Sequence, residues 1–99
     1  MKFSEEKMKA ISQARGMKPV KVILVEKIGV CPHEVGDNFL YYHPMFTPQG
    51  ICGVAAHSMM PFVQRCADGV PSWEKDNPSI YLIHCPSKKG TIWRIERAE

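Results

Sequence analysis

The chain has 99 residues, 44% hydrophobic and 23% charged, with a net charge of +3 and four cysteines. This is the length of one hydrophobic core rather than two, and the balance of a globular rather than a disordered chain. The thirteen basic residues are dispersed, with only Lys88 and Lys89 adjacent, so no basic face marks a nucleic-acid partner.

Residues 1–16 read as a separate short helix: Ser4 as N-cap, Glu5 and Glu6 at the positive end of the dipole, Gly16 as the stop. Its apolar stripe (Met8, Ile11, Ala14) is thin, and residues 17–18 lead into Pro19 as a hinge. The acidic start lacks the apolar core of a secretory signal, and no apolar run is long enough to cross a bilayer. The expectation is a cytoplasmic protein without a membrane partner. In that compartment the cysteines are unbridged thiols, ligands or small buried residues rather than disulfides.

Residues 20–28 form the clearest strand, with Val20, Val22, Leu24 and Ile28 on one face. Ile23 and Val25 give the other face apolar character, which places this strand centrally in a sheet or at an interface. A loop over residues 29–36 carries Cys31 and His33, and Asp37 is a turn-former before a second strand over residues 37–42. Phe39 and Tyr41 oppose Leu40 and Tyr42 there.

Thr47 and Pro48 have the hydroxyl-then-proline order that opens a helix. Cys52, Ala56, Met59, Val63 and Cys66 recur at alternating spacings of four and three, a single stripe. Pro61 predicts a kink or a split, and Gly69 the end of the helix. A loop containing Trp73 follows over residues 70–78. Residues 80–85 and 91–97 then pair as a hairpin, with Trp93 and Ile95 inward and Arg94 and Glu96 outward. The predicted architecture is α+β: an N-terminal helix and hinge over residues 1–18, then one ββαββ domain over residues 19–99. One main helix lies on a mostly antiparallel sheet.

Chemistry is concentrated where cysteine and histidine approach each other. Cys31 and His33 flank Pro32, Cys52 precedes His57, and His84 adjoins Cys85. Strand alternation sends His84 and Cys85 to opposite faces. A five-residue helical spacing separates Cys52 from His57 by roughly 140°. An extended Cys31-Pro32-His33 can aim both groups together, and the start of a helix favours a thiolate at Cys52. A tetrahedral metal site built from Cys31, His33, Cys52 and Cys85, with His57 as a substitute ligand or outer partner, follows as an expectation, with zinc the default ion and ferrous iron the next. The same residues allow a thiolate–histidine dyad at Cys52 or Cys31, and the two Cys-Pro steps allow a haem-facing sulfur. Cys66 on the apolar stripe reads as core, and His43 as surface.

These residues carry a resemblance to a small family of bacterial and archaeal proteins of about this size that has no assigned activity. The matching parts are Gly29, Cys31 and Pro32, then His33, Val35, Gly36 and Asp37. Thr47, Pro48, Gly50, Ile51 and Cys52 with His57 and Pro61 follow, and Cys85-Pro86 closes the set. The chain departs from the pattern in the single-residue spacer Pro32 and in Gly53 after Cys52. The resemblance implies treating Cys31, His33, Cys52, His57 and Cys85 as a set. The functional expectation is a transition-metal site or a thiol-based redox accessory. The alternative is an ion-free interaction module with structural cysteines. A homo-oligomer or a protein partner is expected because a small sheet apolar on both sides needs covering.

Overall fold

A computed structural model describes residues 5–42, 47–85 and 90–98. Ser4, His43, Pro86, Lys88 and Lys89, each given a role above, lie outside the described residues, as does the side chain of Met8. The elements run α1 (Glu5–Ala14), β1 (Val20–Lys27), β2 (Asn38–Tyr41), α2 (Gly53–Ala67), β3 (Ile80–His84) and β4 (Thr91–Arg97). The four strands form an antiparallel sheet in the order β2-β1-β4-β3, and α2 covers one face. The chain is α+β.

Alternation in β1 and β4 sends Val20, Val22, Leu24, Trp93 and Ile95 to the α2 side, all fully buried. Tyr41, Tyr81 and Ile83 join them from the outer strands. From the helix come Ala55, Met59, Val63, Cys66 and Ala67, on the stripe the spacing predicts. The opposite face carries Ile23, Ile80, Leu82 and Ile92 among Lys21, Arg94 and Glu96, and is only partly shielded from solvent.

Several expectations are corrected. The register of β1 against β4 shifts between Leu24 and Glu26, so Val25 is an extra residue. A bulge of this kind reverses the alternation beyond it, and Ile28 is half exposed rather than inward. Helix α2 starts at Gly53, not at Thr47 and Pro48: Gly50 takes a left-handed φ of 87° in a turn, and Cys52 is extended at the N-cap. The helix runs unbroken through Pro61. Pro61 and His57 both lie on its exposed side, so the carbonyl that loses its partner faces away from the core. In α1 Ser12 is buried, while Ala14 is exposed.

Both helices stop at the predicted glycines by the same device. Gly16 donates to Gln13 and Met17 to Ser12, while Gly69 donates to Cys66 and Val70 to Arg65. Each is a Schellman closure around a glycine of positive φ.

Candidate thiol pocket

The loop after β1 is folded back on its own strand. Gly36 donates to the carbonyl of Leu24, and Leu24 donates to that of Asp37. Asp37 closes the turn by accepting the amide of Glu34 at 2.9 Å through Oδ2. This places Cys31 and His33 against the start of α2. The two side chains then diverge, because the chain bends at Pro32 and His33 instead of staying extended.

His33 is buried. Its Nε2 accepts the backbone amide of Cys52 at 2.9 Å, and its Nδ1 lies 3.6 Å from Oδ2 of Asp37. A neutral imidazole that accepts through Nε2 carries its proton on Nδ1, on the Asp37 side. The ring is also gripped edge-on by Phe39 and Trp93, with centroids 5.2 and 5.6 Å away. Cys52 offers no side-chain cap to α2, so a histidine nineteen positions earlier supplies an acceptor at the start of the helix. His33 thereby helps hold the helix start, with Nε2 taken by the Cys52 amide and Nδ1 turned toward Asp37.

Cys31, Cys52 and Cys85 do converge. All three line one pocket of about 100 Å³, walled by Val30, Ala55 and Thr91. Each arrives by a different route. Cys31 comes on the loop after β1, Cys52 on the N-cap of α2, and Cys85 just past β3, where its amide donates to the carbonyl of Thr91 at 2.8 Å. Cys31 and Cys52 are partly exposed and Cys85 is buried. None of the four cysteines is joined in a disulfide.

The remaining candidates stand apart. His57 lines a separate depression with Thr47, Gly53 and Met60. His84 is exposed on the opposite side of the strand from buried Cys85, as alternation requires, with Nδ1 2.6 Å from the Cys85 carbonyl. Cys66 is core, and burial pushes its thiol up, an effect offset by Arg97 and reinforced by Glu96. Among the described residues no group of three or more His, Cys, Asp or Glu side chains is placed to hold a metal ion. Among the described residues no helix is long and apolar enough to cross a membrane.

Sequence reasoning misses the capping role of His33. The available signal is that neither Cys52 nor Gly53 can cap α2 well, which leaves the helix start to be satisfied from outside it. No family model, no curated protein and no solved structure matches the chain.

Proposed function

We propose that the chain is a thiol-based redox accessory whose working pair is Cys31 and Cys52, with Cys85 forming the base of the pocket. The observation that supports this reading is the convergence of three cysteines, distant in sequence, on one small pocket. Cys52 stands at the N-cap of α2, the positive end of the helix dipole, and no acidic side chain stands in the first turn. Its partial exposure at that position makes Cys52 the attacking group in this reading. Its thiolate breaks a client disulfide, forming a mixed disulfide and releasing one client thiol. The Cys31 thiol then gives up its proton and displaces Cys52-bound sulfur. A client disulfide and two protein thiols become two client thiols and a Cys31–Cys52 disulfide, with two electrons passing to the client.

The test is titration of the reduced chain with oxidised glutathione, followed by peptide mapping of disulfides. The expected product is a Cys31–Cys52 bridge, with Cys52→Ser blocking glutathione capture and Cys31→Ser trapping the mixed disulfide. Random capture at all four cysteines, or none, refutes it. Elemental analysis of anaerobically purified chain beside Cys31→Ser, Cys52→Ser and Cys85→Ser combined separates the rival use of the trio as soft ligands for zinc or ferrous iron. Stoichiometric metal, lost in that variant, would favour the ion.

A second reading has its own support. Leu40 and Leu82 are exposed on the sheet face away from α2, beside Ile23 and Ile92. That face suits self-association through the uncovered sheet, with the cysteines in a structural role. Light scattering of Leu82→Arg beside the parent chain tests it: a parent dimer that becomes monomeric supports the second reading, and a monomeric parent removes it.

A further inference from the structure

A larger depression lies at the other end of α2, away from the three cysteines. It measures about 480 Å³, and Arg97 lines it. The guanidinium is held from two sides. Its Nε donates to the Cys66 carbonyl at 3.1 Å, which uses a carbonyl of the last helical turn as an anchor. Its Nη2 end abuts Gly69, where an added β-carbon would overlap it. Glycine at the end of α2 thus serves two ends: it takes the left-handed φ that closes the helix, and it leaves room for the arginine.

Among the described residues, the Nη groups of Arg97 have no hydrogen-bond or ion-pair partner. A positioned guanidinium with an open fork is the arrangement that recognises a planar carboxylate by two parallel hydrogen bonds. The remaining wall divides in two. Val70, Pro71, Pro78 and Ile80 are apolar, and the loop is held in shape by Ser72 donating to the Pro78 carbonyl and by Tyr81 Oη donating to that of Val70. Asn77 spends its Oδ1 on the amide and hydroxyl of Ser79. Its amide nitrogen remains as a donor.

Charge limits what the site can take. Glu96 borders the depression as a residue of β4, but strand alternation turns its carboxylate to the other face, where Oε1 is 3.5 Å from Arg94. The carbonyl end of α2, the negative pole of its dipole, borders the depression at Cys66 and Gly69. One cation beside a negative helix end tolerates a single negative charge and disfavours two. We infer that this depression binds a small organic monocarboxylate with an apolar body, its carboxylate on Arg97 and its body against the two prolines. The size lies within the range of small-molecule sites.

The test is a titration of the full chain, followed by amide chemical shifts, with three probes that share one phenyl body: benzoate, benzamide and phenyl phosphate. Benzoate is expected to give saturable shifts confined to Gly69, Val70, Ser79 and Ile80, with benzamide about tenfold weaker or more, because it cannot form the charged pair. Phenyl phosphate should also bind more weakly, and Arg97→Gln should abolish the benzoate shifts. Benzamide or phenyl phosphate binding as tightly as benzoate overturns the inference. So do non-saturating shifts, or shifts centred elsewhere. The acid–amide comparison on the parent chain decides the matter even if Arg97→Gln does not fold.

Discussion

Replacing His33 by alanine removes the one side chain that accepts the Cys52 amide, and with it the fixed position of the α2 start. The amide is left without its acceptor in a partly buried place, which costs about 1–2 kcal/mol. The buried ring also has two edge-on aromatic contacts, with Phe39 and Trp93, together worth roughly 1–2 kcal/mol. The sum is about 2–4 kcal/mol, or on the order of 10–25 °C in Tm for a domain of this size. Urea denaturation followed by tryptophan fluorescence reads the loss directly. His33→Gln keeps an acceptor and should recover part of the loss. The reasoning carries a second readout: with the helix start loosened, Cys52 should change its alkylation rate while Cys66 does not. A loss below about 0.5 kcal/mol, within the range of an ordinary surface change, would show that His33 holds nothing.

Tyr41 has a buried hydroxyl with no partner among the described residues, so Tyr41→Phe should stabilise the fold by about 1 kcal/mol in the same urea assay. Burial raises the Tyr41 pKa above its ordinary value of 10.0. Above pH 10 the unfolded chain sheds this proton before the folded chain does, so stability falls as pH rises and Tyr41→Phe flattens that fall. Thr91→Val keeps the shape but strands the buried Trp93 Nε1, which donates to Thr91 Oγ1 at 2.6 Å; thermal melts should register a loss of about 1–3 kcal/mol. Gly69→Ala meets both a φ of 81° and the Arg97 guanidinium, and melts should show about 1–2 kcal/mol lost to the backbone alone. Timed alkylation with mass mapping should rank Cys31 and Cys52 ahead of Cys85 and Cys66, in line with their exposure and with the raised thiol of Cys66. Equal rates at all four would contradict the burial described.

The sheet and its inner face were legible because alternation is a local signal. Val20, Val22 and Leu24, and later Trp93 and Ile95, declare their face by period alone. The stripe on α2 was legible for the same reason at a different period. The bulge at Val25 was not, since it depends on where β4 lies, and simple alternation therefore puts Ile28 on the wrong face. Thr47 and Pro48 carry a true helix-opening signature that Gly50 overrides by its left-handed turn. At the site, the meeting of Cys31, Cys52 and Cys85 could be anticipated from the order of elements. The separate use of His33 could not, because one bend at Pro32 decides whether it accompanies Cys31 or turns under the helix. The Arg97 depression left no trace in the sequence beyond a glycine that already had a reason to be there.

The strand order has a temporal side. β1 and β4 form the central seam of the sheet, yet about seventy positions separate them along the chain. Until Thr91–Arg97 emerges during synthesis, β3 has no neighbour and the inner surface of β1 stays half open. A nascent chain growing at about 5–20 residues per second therefore exposes Val22 and Leu24 for several seconds. Protection from chaperones, or speed in the final step, is needed most over that interval.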